Sequence, residues 1–236
     1  MKEMFKHYES YFLKLNLTTK ESFDDVSKFY SFVYGKYLPV DKNAHILDLG
    51  CGIGHFLYFL KNMGYSNFFG VDFSKGQIDF VEKNITKKVA VAEALAFLRE
   101  VKTPYKLIVI NDVLEYVKKE NLMEFLHLTL SSLEPGGSVF IKVPNMSNPF
   151  GLRSRYIDIL HEIGFTEHSL LEVLESTDFS DIKIIGSSSP VVSFKSFILK
   201  LGRISIHKIL KLMFLVQGYA PPKILDPLLI AIAKRQ

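Results

Sequence analysis

Short apolar runs alternate with longer segments of helical periodicity from about residue 45 onward. The runs are rich in Val, Ile and Phe and show no polar alternation, a pattern that predicts strands buried on both faces. Between the first five strands the periodicity predicts helices near 54–63, 75–85, 93–101 and 119–132. The alternation of strands and helices predicts an α/β fold with a mainly parallel sheet. The predicted strands are 45–49, 67–71, 88–91, 106–111, 138–143, 180–186 and a terminal strand in PLLIAIAKR.

The chain divides into three predicted regions around this sheet. Residues 1–40 hold two aromatic-rich helical patterns and predict an N-terminal helical cover, 41–145 the sheet core, and 146–236 an acceptor-binding and lid region with the last strands. The aromatic residues of the cover include Tyr8, Tyr11, Phe12, Tyr30 and Tyr34. EPGG at 134–137 predicts a turn before the fifth strand, because Pro fixes φ and Gly permits positive φ.

Composition narrows the class of protein. The 48% hydrophobic content over 236 residues is enough for one core and an elaboration. A single cysteine, Cys51, provides neither a disulfide framework nor a thiolate cluster, so we expect a metal-independent fold in a reducing compartment. The N-terminus lacks a signal-like apolar stretch, and no apolar run reaches the ~18 residues of a membrane span. We expect a cytoplasmic protein, either free or held peripherally at the inner face of the membrane.

Three closely spaced glycines follow the first predicted strand in HILDLGCGIGHF, residues 45–56. Ligands of open α/β sheets bind beyond the carboxyl ends of the strands, and the first strand-to-helix turn is the usual place. The spacing G-x-G-x-G differs from the dinucleotide fingerprint G-x-G-x-x-G and from the phosphate loop. Asp72, in GVDFS at the end of the second strand, lies where an acidic residue binds ribose hydroxyls. We therefore expect a nucleoside ligand without a pyrophosphate.

ILDLGCGIG and GVDFS resemble the first and second motifs of the class I S-adenosylmethionine-dependent methyltransferases, over roughly residues 40–145. The resemblance implies a seven-stranded Rossmann-like sheet and S-adenosylmethionine as the cofactor, and the chain's own pattern adds a helical insertion before the last strand. It implies that the glycine turn contacts the methionine and ribose portions, that Asp72 binds both ribose hydroxyls and that Asp48 orients the methionine amino group. The implied cofactor-binding residues are Asp48, Gly50, Cys51, Gly52, Gly54, Asp72, Phe73, Glu93, Ala94, Asn111, Asp112 and Leu114.

Two of these assignments leave a simpler alternative open. By the resemblance, Glu93 and Ala94 in AVAEALAFL lie near the adenine, but Glu93 also suits an ordinary helix start. NDVLEYV resembles the segment that borders the methionine moiety. Tyr116 stands there in place of a common histidine, and packing is an equally simple role for it.

The acceptor site is predicted after the fifth strand, in VPNMSNPFGLRSRYIDILHEIGFTEHSL. This stretch resembles methyltransferases of surface-polysaccharide and O-antigen biosynthesis, although Leu160 replaces a threonine of their pattern. Asp158 and His161 are three residues apart, so on a helical turn both would project to one side. An imidazole titrates near neutral pH and suits a general base, so we predict His161, with Asp158, as the catalytic pair. The alternative is a histidine satisfied by capping or packing.

A basic stretch precedes the last strand. No Asp or Glu occurs from Ile182 to Leu225, whereas seven Lys and Arg residues do. Ser196, Lys200, Arg203, His207 and Lys211 follow at helical intervals and predict one cationic face on a helix that is otherwise apolar. Residues 194–216 could therefore contact a membrane peripherally, or form a lid whose apolar side closes the acceptor pocket.

The favoured function is O-methylation of a sugar hydroxyl in a surface glycan or its nucleotide- or lipid-linked precursor. The main alternative is methylation of a lipophilic small molecule such as a quinone precursor. A nicotinamide-dependent oxidoreductase is disfavoured by the glycine spacing, and an inert membrane-recruitment module is the other class considered. Nucleic acid is not an expected partner, because no Asn-Pro-Pro-aromatic tetrapeptide follows the fourth strand to hold a flipped base. No metal ligands are predicted.

Overall fold

The computed structural model describes residues 17–187 and 193–236, and these contain one seven-stranded sheet of order β3-β2-β1-β4-β5-β7-β6. Only β7 runs antiparallel to its neighbours, β5 and β6. Every predicted strand is present, so the predicted fold class is confirmed. The first predicted helix, in residues 7–17, falls outside the described residues except for Leu17, and so do its Tyr8, Tyr11 and Phe12. The strands are β1 (Ile46–Leu49), β2 (Phe68–Asp72), β3 (Val89–Val91), β4 (Tyr105–Asn111), β5 (Leu133–Pro144), β6 (Ser180–Gly186) and β7 (Leu228–Lys234).

Eight α-helices lie within the described ranges, and most of them connect successive strands. The last one is the predicted insertion between β6 and β7. Short 3₁₀ helices follow α1 (Gly35–Tyr37) and β4 (Leu114–Tyr116 and Lys119–Asn121). The α-helices are α1 (Lys20–Tyr34), α2 (His55–Asn62), α3 (Lys75–Asn84), α4 (Ala94–Glu100), α5 (Leu122–Ser131), α6 (Gly151–Ile157), α7 (Glu167–Glu175) and α8 (Phe194–Val216).

The predicted turn at EPGG is a bulge inside β5 instead. Pairing with β4 passes from Tyr105 opposite Leu133 to Leu107 opposite Ser138, so β5 carries the extra residues. Gly136 takes up the distortion at φ 68°, and its N–H donates to the carbonyl of Arg235 at 3.0 Å. The prediction was wrong because the backbone groups of this segment find partners beyond the end of β7, which sequence proximity does not reveal.

Both faces of the sheet are covered by apolar layers. One layer includes Phe125 of α5 and Leu170 of α7, and the other includes Tyr34 of α1 and Phe56 of α2. Since the sheet is buried on both faces, only its edges are open to ligands. The carboxyl ends of β1, β2 and β4 meet at one of these edges and position the site.

Candidate active site

The glycine turn after β1 owes its composition to its backbone and to the packing of the chain on itself. Gly50, Gly52 and Gly54 have φ values of 81°, 54° and 85°, which side chains disfavour. A Cβ on Gly50 would lie 2.2 Å from a methyl group of Val113, and one on Gly54 would lie 2.7 Å from Ile85. Gly50 and Gly52 line the cleft, whereas Gly54 is the N-cap of α2 and does not appear among the lining residues.

Asp72 ties the end of β2 to this turn. Its Oδ2 accepts a hydrogen bond from the N–H of Gly52 at 2.8 Å, and its Oδ1 accepts one from the N–H of Ser74 at 2.9 Å. The side chain is buried and lines the cleft. An ionised carboxylate only accepts hydrogen bonds, so the chemistry it offers a ligand is acceptance from hydroxyl groups. The carboxylate is thus held in a fixed orientation beside the turn.

Asp48 is a buried carboxyl group that faces the cleft with one oxygen unpaired. It is 1% exposed, and its Oδ2 has no hydrogen-bond partner among the described residues. Burial, and to a smaller degree the charge of Asp72, raise the pKa of Asp48 to about 8, against the opposing effect of Lys142. A cationic ligand group would supply the missing partner and stabilise the ionised form.

Lys142 and Asp112 form an ion pair beside Asp48. The Lys142 ammonium lies 2.6 Å from Asp112 Oδ2, and the lysine side chain is 11% exposed. Burial alone would lower the pKa of Lys142, but the charges of Asp112 and Tyr30 outweigh it, so the pKa is raised. The lysine therefore stays charged and is largely neutralised by its partner. Sequence reasoning missed it, although a single lysine in the apolar run SVFIKVP was a readable signal.

Asn111, next to Asp112, connects this group of charged side chains to the N-terminal helix α1. Its Oδ1 accepts a hydrogen bond from the Tyr34 hydroxyl at 2.7 Å, and its Nδ2 is buried without a partner among the described residues. Both Asn111 and Asp112 line the cleft. The amide therefore holds a buried donor without a partner among the described residues, in a side chain predicted to border the methionine moiety.

The remaining predicted cofactor residues fall into two groups. Glu93 lines the cleft, but its carboxylate also caps α4 by accepting from the N–H groups of Leu95 and Ala96 at 3.1 and 2.8 Å. Leu114 is fully buried in the core and, like Gly54, is not a lining residue. The residues that do line the cleft as predicted also include Cys51, Phe73 and Ala94.

Tyr116, Asp158 and His161 come together at the other end of the cleft. The Tyr116 hydroxyl donates to Asp158 Oδ2 at 3.1 Å, and the rings of Tyr116 and His161 meet edge to face at 4.6 Å. The predicted helical turn is not what joins the pair, because Asp158 lies in extended backbone just after α6 ends. Tyr116 provides the common contact instead.

A hydrogen bond indicates which nitrogen of the His161 ring carries the proton when the ring is neutral. Its Nδ1 lies 2.9 Å from the carbonyl oxygen of Ser154, which can only accept, so Nδ1 carries the proton. In the neutral ring Nε2 then holds the free lone pair, as a base requires. Arg155 donates to the carbonyl of His161 and holds the backbone of this turn.

Glu115 is a buried carboxyl group that sequence reasoning did not single out. It is 3% exposed, lines the cleft, and has its Oε2 unpaired among the described residues. Its backbone carbonyl accepts from the N–H groups of Glu162 and Ile163 at 2.7 and 3.1 Å. Burial, followed by the charge of Asp112, raises the pKa of Glu115 well above its usual range. A carboxyl group between Leu114 and Tyr116 in NDVLEYV was the available signal.

These groups surround one cleft of about 1590 Å³. A single small ligand usually fills about 300–1,000 Å³, so the volume accommodates two reactants side by side. No residue of α8 lines it within the described chain. The described residues contain no group of three or more His, Cys, Asp or Glu that could hold a metal ion.

Comparison with known proteins shows to which protein family the chain belongs. Residues 21–184 match the methyltransferase domain family. The chain is 30% identical over 204 residues to an uncharacterised protein of Rickettsia prowazekii, RP028, covering 75% of this chain and 80% of that one. It is 32% identical over 124 residues to the uncharacterised protein MJ0906 of Methanocaldococcus jannaschii, covering 49% of this chain and only 33% of that protein's length.

A solved structure gives the same answer. The crystal structure of a SAM-dependent methyltransferase from Archaeoglobus fulgidus superimposes with a TM-score of 0.66 at 25% identity, covering 95% of this chain and 99% of that one. The chain belongs to the methyltransferase domain family, and it is an enzyme whose cofactor is S-adenosylmethionine. The site fits this cofactor, because Asp72 borders the glycine turn and the unpaired oxygen of Asp48 suits a cationic group. The nicotinamide-dependent alternative has no support.

Proposed function

We propose that the enzyme methylates a sugar hydroxyl in a surface glycan or in its nucleotide- or lipid-linked precursor. The observation that carries this proposal is the hydrogen bond from His161 Nδ1 to the Ser154 carbonyl, which makes Nε2 the lone-pair nitrogen of a histidine that lines the cleft. A hydroxyl is a weak nucleophile that must lose its proton as it gains a methyl group, so it benefits from such a base. The resemblance of residues 143–170 to methyltransferases of surface-polysaccharide biosynthesis supports the choice of a sugar.

The residues of this chain take distinct parts in the proposed reaction. S-adenosylmethionine supplies an electrophilic methyl group on a sulfonium. His161 Nε2 accepts the proton of the acceptor hydroxyl as the hydroxyl oxygen bonds to the methyl carbon; the carbon–sulfur bond would break in the same step, with the neutral thioether as leaving group. The imidazolium then returns the proton to solvent. Asp158 and Tyr116 act as positioning residues, because their hydrogen bond and the ring contact of Tyr116 fix the place of His161. Asp72, Asp48 and the glycine turn bind the cofactor.

A lipophilic acceptor such as a quinone precursor is the second candidate. Three exposed apolar side chains of the lining favour it, because they would pack against an apolar tail at the cleft mouth. They are Tyr156, Ile157 and Ile159. In either role we propose that the enzyme acts on the cytoplasmic side, and a lipid-linked acceptor would bring it to the inner face of the membrane.

Methyl transfer from labelled S-adenosylmethionine tests the two acceptor classes directly. The assay compares nucleotide- and lipid-linked sugars with prenylated phenols, and we expect label in the sugar fraction. His161→Gln should lower transfer by about 10²–10⁴-fold, whereas His168→Gln, an exposed histidine on α7, is the matched control and should leave it unchanged. Label in the prenylated phenols alone would establish the second candidate. No transfer to either class, together with retained membrane binding, would favour the inert recruitment module.

A further inference from the structure

Helix α8 carries its apolar surface on the outside of the molecule. None of its residues is buried. An apolar surface of this extent on one element marks an interaction site. The helix is not long and apolar enough to cross a membrane, and the same holds for every other helix in the described ranges. Its large apolar side chains with 43% exposure or more are Phe194, Phe197, Ile198, Leu199, Leu201, Ile204, Ile206, Ile209, Leu212, Met213, Leu215 and Val216.

The helix is amphipathic with its polar side turned inward. An ordinary surface helix packs its apolar face against the core. Here the partly buried positions of α8 lie along one face, and four of them belong to the predicted cationic face. The partly buried positions are Ser196, Arg203, His207, Leu210, Lys211 and Phe214. Arg203 approaches Asp226 at 4.0 Å, and Lys211 Nζ donates to the carbonyl of Lys223 at 3.5 Å. The face left for a partner is therefore the apolar one.

The charge around this face identifies the partner. Between Ser193 and Leu225 there are six Lys and Arg residues and no Asp or Glu. Lys195, Lys200 and Lys208 are exposed and can extend past the apolar side chains toward anionic headgroups. A second copy of the chain fits less well, because a two-fold contact would set these lysines against one another. We propose that α8 docks in the plane of an anionic lipid bilayer, with its apolar face in the acyl boundary.

Chain topology brings this surface to the edge of the sheet that holds the cleft. Helix α8 joins the end of β6 to the start of β7, and Leu228 pairs with Pro144 at the carboxyl end of β5. The return from α8 is fastened there, because the Asn145 side chain donates to the carbonyls of Ile224 and Asp226 at 3.0 and 2.9 Å. Asn145 also begins the segment that leads into α6. A lipid-borne acceptor would thus reach the cleft from the docked face, an extension that rests on the proposed function.

Vesicle sedimentation of the full chain tests the docking without cofactor or acceptor. We expect the protein to pellet with vesicles containing phosphatidylglycerol and to remain in the supernatant with pure phosphatidylcholine. The triple variant Ile198→Gln, Ile209→Gln, Leu212→Gln should lose vesicle binding by tenfold or more while its cofactor affinity stays the same. Exchanging Lys195, Lys200 and Lys208 for Gln should weaken binding by about fivefold per lysine.

A matched control removes exposed apolar side chains elsewhere. The variant Val40→Gln, Met63→Gln, Met123→Gln changes three side chains that are 96%, 39% and 38% exposed and should bind vesicles as the wild type does. Equal pelleting of wild type and the α8 triple variant would overturn the proposal. So would a dimer, seen by light scattering without lipid, that the α8 variant abolishes while wild type ignores vesicles. Neither result depends on which acceptor is methylated.

Discussion

Asp48 carries a carboxyl group whose surroundings oppose its charge. Its pKa rises from the usual 3.8 to about 8 on folding, chiefly by burial. Between these values the folded chain binds more protons than the unfolded chain, so the free energy of unfolding falls as pH rises through this window. The buried, unpaired Oδ2 is thus a stability cost to the ligand-free enzyme, which the proposed contact with a cationic group of the cofactor would relieve.

Replacing Asp48 with Asn should therefore stabilise the ligand-free enzyme and weaken the cofactor complex. We expect the midpoint of thermal unfolding to rise by a few degrees at pH 8, where ~1 kcal/mol corresponds to about 2–4 °C. The gain over wild type should grow from pH 5 to pH 8. It should level off above, because Asp48 is then ionised in the folded as well as in the unfolded wild-type chain. Calorimetric melts across pH measure it. A gain that is the same at pH 5 and pH 8 would contradict the assignment.

Replacing Asp72 should destabilise the enzyme, in contrast to the replacement of Asp48. Its oxygens accept from the N–H groups of Gly52 and Ser74, so Asp72→Ala leaves these donors unpaired and lowers the unfolding midpoint. Cofactor affinity should fall by about 1–3 kcal/mol, the cost of leaving polar groups of the ligand unpaired. Isothermal titration with S-adenosylmethionine measures this loss. Unchanged affinity would remove Asp72 from the ribose site.

The Tyr116 hydroxyl separates a positioning role from a catalytic one. Tyr116→Phe removes the hydrogen bond to Asp158 but keeps the ring contact with His161. We expect kcat to fall about tenfold, with cofactor affinity unchanged, because the base is less well oriented but still present. His161→Gln removes the proposed base itself and should lower kcat clearly further than Tyr116→Phe does. A larger loss in Tyr116→Phe than in His161→Gln would assign the proton transfer to the tyrosine instead.

At the scale of the element, the turn between β1 and α2 is set by packing as much as by backbone conformation. Gly50 and Gly64 have nearly equal φ values, 81° and 83°, but a Cβ on Gly64 meets nothing within 4 Å. Gly64→Ala should therefore cost only the ~1–2 kcal/mol of a left-handed conformation. Gly50→Ala adds a collision with Val113 and should cost clearly more, with loss of cofactor binding. Chemical denaturation of both variants measures the difference, and equal losses would show that φ alone explains the glycine.

The strands were predictable from sequence, because each is a short run of Val, Ile, Leu and Phe that only a doubly covered sheet can bury. The bulge at EPGG was not, since Gly136 and Gly137 owe their pairing to Arg235, which lies about a hundred residues away in the chain. The predicted cofactor residues could be named for the same local reason, because their two motifs lie at adjacent strand ends; their roles stay a prediction. The contacts of Tyr116 with Asp158 and His161, in the predicted acceptor half, join residues too far apart in the chain for a local pattern to encode.

Helix α8 shows a second limit of prediction from sequence, which is the orientation of a helix on the rest of the molecule. Its period identified the cationic face, which is a local property of the sequence. Which face turns inward depends on Asp226 and on the carbonyl of Lys223, both beyond the helix. The lid alternative required the apolar side to close the pocket, whereas in the structure that side is exposed and α8 is absent from the described lining of the cleft.

At the scale of the whole molecule, the N-terminal helix α1 contacts residues that line the cleft. The Tyr34 ring is fully buried, stacks on Phe140 of β5 with centroids 4.8 Å apart, and meets Phe56 edge to face. Its hydroxyl, which burial keeps protonated by raising its pKa well above the usual value, donates to Asn111 Oδ1. The N-terminal helix thereby orients the side-chain amide of Asn111 at the end of β4, where the methionine moiety of the cofactor is expected.

Tyr34→Phe should therefore affect stability and cofactor binding together. The substitution keeps the ring packing and removes one buried hydrogen bond, so the free energy of unfolding should fall by about 1–3 kcal/mol. Asn111, which lines the cleft, would lose this anchor and be free to turn, so S-adenosylmethionine affinity should fall as well. Tyr58→Phe is the matched control, because the Tyr58 hydroxyl binds Asp24 of the same helix at 2.9 Å but lies outside the cleft lining. A Tyr34→Phe variant that is destabilised but binds the cofactor as tightly as Tyr58→Phe would reduce α1 to a structural support.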